Sequence, residues 1–435
     1  VKVMNINKLN TQNRNPNFTK VESRNSSQPN SQIVDNYIKE AKLPEEGQKK
    51  KWLVILYSAG DNNLSAYSYR NINELESIGS DNSTHIVTIA DQGNQENGAF
   101  KGAKIFYLKK DTDMDKINSP VFQNLGQVNT ADPKFLANSI QEIIKKFPAE
   151  HIAIIIDDHG GGWQGAIEDN THNKSMSLPE IREALEEIQK NTKKQIDLLV
   201  FDACLMAMAE VGYELKNTVK YLVASEETEN NNGYNYYIVF SKAIKNAISN
   251  LQQSASFRVN VTPEEFAKII VESAKQYSND VKTISAVDLD KVNELASKID
   301  EFAKLVLSEN KQNKIHKIIE KMKMAQKFSL GSLLFITIKS FGDLYHFAKL
   351  IYEDNTISQN LRNKVQEIMD AVNNYVITNF SNNKYKNAYG VSINFPIFTI
   401  TLFDFPFMSF PFFIGVLPEY KDTQFAKDTS WDEMI

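Results

Sequence analysis

The chain predicts an α/β protein built on a mainly parallel sheet covered on both faces, and three observations carry this. From Lys51 to about Ser225, apolar runs rich in β-branched residues alternate with stretches of helical spacing. Ile152–Ile156 is continuously apolar, as in a strand buried on both faces of a parallel sheet. Ser177-Leu178-Pro179-Glu180 reads as a capping box that opens a helix to about Gln189, between the Ile152 strand and a second run, Ile196–Phe201. Strand, helix, strand is a right-handed crossover. Both strands therefore end on one carboxyl edge, where open α/β folds carry their sites.

In chain order, residues 1 to about 32 are rich in Asn, Gln, Ser and Lys without an apolar period, and are expected to form a disordered arm. Ile33–Leu43 is expected to be a short amphipathic helix, and Pro44-Glu45-Glu46-Gly47 marks the entry to the folded body. The chain starts at Val1 without an initiator methionine, so we expect an upstream leader and a secreted or cell-envelope-attached protein. Trp52–Tyr57, His85–Ala90 and Lys104–Leu108 read as strands, with helices over Tyr67–Ile78 and Pro133–Lys146. After Cys204 a helix is expected over Ala207–Leu215 and a strand over Tyr221–Ser225, leading into Glu226-Glu227-Thr228-Glu229 and an asparagine-rich loop.

Composition shifts beyond about residue 255. Helical spacing covers Phe266–Tyr277, Leu289–Ser308, Asn313–Ala325 and Ser358–Phe380, with strands expected at Thr283–Val287, Leu333–Ile338 and Tyr389–Phe395. The expected organisation is an arm over 1–50, the site-bearing domain over 51–254, and a mixed α/β region over 255–435 packed on it. Ile397–Leu417 is aromatic, but Asp404, Pro406 and Pro411 interrupt it, so no membrane span is expected. A buried β-rich or irregular segment and an exposed partner-binding patch are the two readings of it.

The 435 residues, 42% hydrophobic and 24% charged, suit a globular protein of about two or three domains. With 49 basic against 54 acidic side chains the formal charge is -5, which argues against a nucleic-acid partner. One cysteine excludes an internal disulfide and a multi-thiolate metal site. It is either a small buried hydrophobe or a nucleophile.

The second reading gains from position. The Ile152 strand ends in Asp157-Asp158-His159-Gly160-Gly161-Gly162-Trp163, and the Ile196 strand in Asp202-Ala203-Cys204-Leu205-Met206. A thiol attacks as thiolate, and a nearby imidazole favours that form and passes a proton to a leaving amine. Of the six histidines, His159 is the one at a strand's carboxyl end beside glycines. The amides of Gly160 and Cys204 are the expected oxyanion hole. There is no Gly-x-Ser-x-Gly elbow and no His-Glu-x-x-His.

Five segments carry a resemblance: Asp61-Asn62-Asn63-Leu64, His159 to Trp163, Asp202 to Met206, Ala224 to Glu229, and the closing Lys427-Asp428-Thr429-Ser430-Trp431-Asp432-Glu433. In this order they resemble the clostripain family of cysteine peptidases, over about residue 51 to the C-terminus. The resemblance implies a caspase-like α/β/α sandwich with a mixed α/β C-terminal region, and a His159/Cys204 dyad that cleaves after Arg or Lys. Protein or peptide substrates with basic residues would be its partners; the oligomeric state stays open. It implies that Asp202, two residues before the nucleophile, lines the primary specificity pocket, with Glu226 and Glu229 as the other acids for that role. It also implies internal cleavage after a basic residue between the two motifs. Lys174 is the one Lys or Arg in the polar segment Glu168–Met176, so the cut is expected between Lys174 and Ser175.

Chemistry of this kind needs no cofactor. The resemblance suggests calcium dependence, yet no acidic loop has the spacing of a calcium site. Asp157 and Asp158 stand where the family has small or polar residues; one reading has either carboxylate raise the imidazole pKa, and the expected one is that they solvate a loop. Tyr234-Asn235-Tyr236 replaces a common Trp-Pro-Tyr ending, which implies a reshaped pocket. A non-catalytic surface binding protein on the same fold is the alternative. A flavodoxin-like nucleotide binder would need a phosphate-cradling loop after the first strand, and none is present.

Overall fold

The computed structural model describes residues 43, 45–93, 100–249, 261–277, 280–309, 312–333, 336–402, 409–413 and 418–435. The expected arm and most of the Ile33–Leu43 helix lie outside the described residues. The elements run β1 Lys50–Gly60, α1 Ser65–Glu76, β2 Thr84–Gln92, β3 Gly102–Tyr107, β4 Val121–Gly126, α2 Pro133–Lys146 and β5 Ala149–Asp157. They continue with β6 Ala166–Asp169, β7 Lys174–Met176, α3 Leu178–Thr192, β8 Ile196–Asp202, α4 Ala209–Leu215, β9 Val219–Ala224 and α5 Tyr236–Ser249. Beyond residue 255 come α6 Pro263–Ala274, β10 Thr283–Asp288, α7 Val292–Ser308, α8 Gln312–Met324, β11 Lys327–Leu333, β12 Ile336–Asp343 and α9 Leu344–Tyr352. The chain closes with α10 Gln359–Tyr375, β13 Val376–Ser381, β14 Ser392–Leu402, β15 Ser409–Phe413, α11 Gln424–Asp428 and α12 Trp431–Met434.

Nine strands form the central sheet in the order β13-β10-β9-β8-β5-β1-β2-β3-β4. The inner five, β9, β8, β5, β1 and β2, are parallel, and the two strands at each edge are antiparallel. Alternate residues of β5 explain its unbroken apolar run. Ile152, Ile154 and Ile156 face one core with α2, α3, α4, α7 and α10, while Ala153 and Ile155 face the other with α1, α5 and α6. Helices on both faces make the caspase-like three-layer arrangement.

Local chemistry sets the helix starts. The Ser177 Oγ caps the Glu180 N–H, and the Glu180 carboxylate accepts the Ser177 N–H at 2.8 Å, a reciprocal cap that stabilises α3 by about 1 kcal/mol. Asp132 caps α2, with Pro133 in its first turn.

The stretch after residue 255 contributes β10 and β13 to the central sheet, and a second, four-stranded sheet in the order β11-β12-β14-β15. It is tied to the segment just past Cys204: Ser392 N–H donates to Ala207 O at 2.9 Å, and Asn394 N–H to the buried Glu210 carboxylate at 2.9 Å. Trp431 of the closing motif is fully buried and donates its indole N–H to Asn394 O at 3.0 Å.

Several expectations need correction. The helix expected over Ser358–Phe380 stops at Tyr375, and Val376–Ser381 is β13, whose β-branched and aromatic residues pair with β10. Leu333–Ile338, expected as one strand, spans the junction of the antiparallel pair β11 and β12, with residues 334–335 outside the described ones. Helices α5 and α9 and strand β4 went unpredicted, because apolar helices and short half-exposed strands both blur the periodic signal. Of the aromatic stretch Ile397–Leu417, residues 403–408 and 414–417 lie outside the described residues, and the remainder forms paired strands of β14 and β15.

Candidate active site

Register places the two motifs. β5 and β8 are neighbouring parallel strands whose last paired residues are Asp157 and Asp202, so His159 and Cys204 each lie two residues further along the same edge. The backbones meet closely there: a Cβ on Gly160 would come within 2.4 Å of the Cys204 carbonyl oxygen and 3.0 Å of its nitrogen. Only glycine fits at that position. Gly160 bridges to Ala166 through bonds from Ile167 N–H to His159 O and from Gly161 N–H to Gly165 O, which leave the Gly160 amide itself outside the bridge.

Strain flanks both motifs. Leu205, the residue after Cys204, has φ of 69°, and the β-branched Ile167 has φ of 66°. Such conformations persist only where surrounding structure enforces them, and they gather at active sites.

The imidazole of His159 is almost fully buried. Its Nε2 lies 2.9 Å from Asn63 Oδ1 and 3.6 Å from Glu168 Oε2. An amide oxygen only accepts, so this contact fits the tautomer that carries the proton on Nε2. Asn62 locks this corner by donating to Asp158 Oδ1 at 2.7 Å and to Glu168 O at 2.9 Å.

Asp157 and Asp158 do not solvate a loop, contrary to expectation; both are 0% exposed. Asp158 accepts the His159 N–H at 2.5 Å and the Glu168 N–H at 2.6 Å, and Asp157 accepts Ser58 and Asn71 side chains at 3.0 and 3.2 Å. Their role is to clamp backbone and side chains beneath the histidine. Burial holds the Asp158 carboxyl well above the usual carboxylate range.

Cys204 is 0% exposed, and its Sγ accepts the Glu229 N–H at 3.1 Å. Asp202, also fully buried, accepts the Tyr234 N–H at 3.3 Å and faces the Tyr236 hydroxyl. Glu229 faces the Tyr234 hydroxyl. Burial, reinforced by these acids, pushes both tyrosines well above their ordinary value. Cys204, Asp202 and Glu229 are thus brought together under the segment from Glu229 to Tyr236.

Glu226 is not part of this group. It is buried against Asp343, accepts the Gly390 N–H at 2.9 Å, and has its pKa raised well above the ordinary value by burial and the Asp343 charge. The segment expected to be a loose loop around Lys174 is instead a hairpin. β6 and β7 pair Glu168 with Ser175 and Asp169 with Lys174, and the Lys174 Nζ lies 2.6 Å from Glu180. Ser175 is buried.

The structure adds residues to which no role was assigned. Asn63 and Glu168 hold the imidazole, and the signal for Asn63 was its place just past the β1 strand end, on the same edge as both motifs. Nearby, Asp61, Asp91 and Asp169 cluster, one carboxylate oxygen of each lying within 4.8 Å of the other two. Among the described residues no helix is long and apolar enough to cross a membrane.

Comparison with known proteins agrees with this geometry. The family model for the Clostripain family matches residues 56–435. Clostripain from Hathewaya histolytica is 22% identical over 426 residues, covering 85% of this chain and 80% of that protein. An inactive zymogen C11 protease from Parabacteroides distasonis superimposes with a TM-score of 0.59 at 19% identity, over 88% of this chain and 99% of that one. A secreted C11 cysteine protease from Bacteroides thetaiotaomicron, solved with an irreversible peptide inhibitor, gives a TM-score of 0.54 at 19% identity over 79% and 92%.

Proposed function

We propose, on the premise that this chain belongs to the clostripain family and is a cysteine endopeptidase, that it cleaves after Arg or Lys with Cys204 as nucleophile and His159 as proton carrier. The observation that carries this reading is the pair of adjacent parallel strands with His159 and Cys204 each two residues past its end, and the buried Asp202 two residues before the thiol. His159 Nδ1 takes the thiol proton, and the thiolate adds to the scissile carbonyl. The amides of Gly160 and Cys204 receive the oxyanion. The imidazolium then protonates the departing amine, and water attacking with His159 as base frees the acid product and the thiol. Asp202 pairs with the substrate's basic side chain.

A basic-residue acyloxymethyl ketone is expected to label the activated chain on Cys204, read by intact-mass and peptide mapping. A chain that is neither labelled nor active on Arg and Lys peptides would instead fit the non-catalytic binding reading.

The uncut chain is a latent form in this reading. The thiol is buried under the Glu229 amide, so a peptide reaches it only after that segment moves. Self-cleavage between Lys174 and Ser175 supplies the change, and it requires the short β6/β7 hairpin to unpair and the Lys174–Glu180 contact to break. Three paired residues on each strand make that opening cheap relative to global unfolding. Denaturing electrophoresis with N-terminal sequencing is expected to give a fragment beginning at Ser175 from wild type and not from Cys204→Ala or Lys174→Ala. A fully active enzyme that stays one uncut chain would end the idea. Protein substrates with basic residues, met outside the cell or at its envelope, complete the reading.

A further inference from the structure

Two buried carboxyls meet where the catalytic sheet joins the second one. Glu226 lies two residues past the end of β9 and is 1% exposed; Asp343 ends β12, caps α9 and is 0% exposed. Neighbouring amides of the strap that leads into β14 bring them together. Tyr389 N–H donates to Asp343 Oδ2 at 2.6 Å, and Gly390 N–H to Glu226 Oε2 at 2.9 Å. Asp343 Oδ1 accepts the His346 N–H at 2.5 Å. Among the described residues Glu226 Oε1 meets no donor, although it is fully buried, and the two carboxyls lie against each other.

Two ionised carboxylates in contact away from water repel each other, whereas one proton between them makes a charge-assisted hydrogen bond. Burial, with the Asp343 charge beside it, holds Glu226 well above the usual carboxylate range, and burial pushes Asp343 up to about 7. The titratable groups around the pair come from several elements. Glu227 adds its own charge to Glu226 and is faced by the Tyr385 hydroxyl. Lys282, just before β10, donates to Thr228 O at 2.8 Å, and Lys327 of β11 stands opposite Gly342. The His346 ring accepts the Gln326 N–H at 2.9 Å on Nδ1, and burial holds it below its ordinary value.

What the pair joins bears on the nucleophile. Ser225–Glu229 runs beside Cys204–Ala207: Ala207 N–H donates to Ser225 O at 3.0 Å, Leu205 N–H to Glu227 O at 3.3 Å, and Glu229 N–H to Cys204 Sγ at 3.1 Å. On the other flank Ser392 N–H, two residues along the strap from Gly390, donates to Ala207 O at 2.9 Å. Leu205 keeps its φ of 69° between these two supports. We propose that Glu226 and Asp343 are positioning residues that share one proton, clasping Ser225–Glu229 to the strap 389–392 and so holding the strained loop that carries Cys204. The positioning half rests on the peptidase reading, and the clasp half does not. Both carboxyls bind protons more tightly folded than unfolded, so the stability they give is present at low pH and is lost as pH rises through about 7 and beyond.

The test starts from full-length Cys204→Ala, which in this reading cannot cut itself. Adding Glu226→Gln supplies an N–H donor for Asp343 and an acceptor for Gly390 at every pH. Its unfolding midpoint is expected to match the parent's at about pH 5 and to exceed it by about 2 °C or more at about pH 9. Glu226→Ala, which supplies neither, should lie below the parent at about pH 5. A difference between the Gln variant and its parent that does not grow with pH, or an Ala variant as stable as the parent, would overturn the clasp; Asp343→Asn makes the same comparison where Glu226→Gln does not fold. In the otherwise wild-type enzyme after activation, Glu226→Ala is expected to lower kcat on Arg and Lys peptides about tenfold or more with KM nearly unchanged, and Glu226→Gln to recover most of that loss. An undiminished kcat in Glu226→Ala, or a loss confined to KM, would overturn the positioning half and leave the clasp standing. A wild-type chain that shows the pH-dependent difference but cleaves nothing would count against the peptidase reading alone.

Discussion

Cys204→Ala is expected to lower cleavage of basic peptides to less than about a hundredth of the wild-type rate while leaving the unfolding midpoint nearly unchanged. In the proposed mechanism the sulfur forms the acyl-enzyme, and no other cysteine exists to replace it. The structural cost is small, because one buried atom is lost and Leu205 keeps its backbone bond to Glu227 O at 3.3 Å. His159→Ala should cost comparably, since thiolate formation and amine protonation pass through the same ring. Its fold is held by main-chain bonds of residue 159 to Asp158 and Ile167, which alanine retains. Steady-state kinetics on a Lys-ended peptide, with thermal unfolding of the same preparations, checks this. Substantial activity in Cys204→Ala would remove the cysteine mechanism.

Asp202→Asn is expected to cost on the order of 2 to 4 kcal/mol in transition-state binding of Arg and Lys substrates, roughly 30- to 1000-fold in kcat/KM. Substrates with neutral residues at that position should suffer much less. The asymmetry follows from charge: an asparagine still accepts the Tyr234 N–H, so the pocket wall stays in place, but it no longer neutralises a buried guanidinium or ammonium. If Arg and Lys cleavage are unchanged, Glu229 becomes the specificity acid, since its carboxylate shares the pocket with Tyr234. Glu226 is the weaker candidate, being engaged with Asp343 and Gly390 on the far side.

The strand core and the placement of His159 and Cys204 on one edge were legible because both depend on local pattern. Continuous apolar runs such as Ile152–Ile156 exist only where a strand is covered twice, and a parallel crossover forces successive strand ends onto one edge. The capping box at Ser177 is readable for the same reason, its partners being three residues apart. Where the pattern was ambiguous, the reading failed: Val376–Ser381 continues the apolar spacing of the preceding helix, and only pairing with β10 makes it a strand. The polar segment around Lys174 looked like open loop, yet three pairs with β6 order it.

By itself, then, the sequence determined the α/β class and the shared edge on which His159 and Cys204, the proposed dyad, both lie. The tertiary structure alone decided what surrounds them. Asp157 and Asp158 became buried clamps, Asn63 and Glu168 became the imidazole's partners, and the thiol came to lie under Glu229. Spacing in sequence reports neighbours within a turn of helix or a strand pair, whereas these contacts arise from strand order and register, which long-range packing sets.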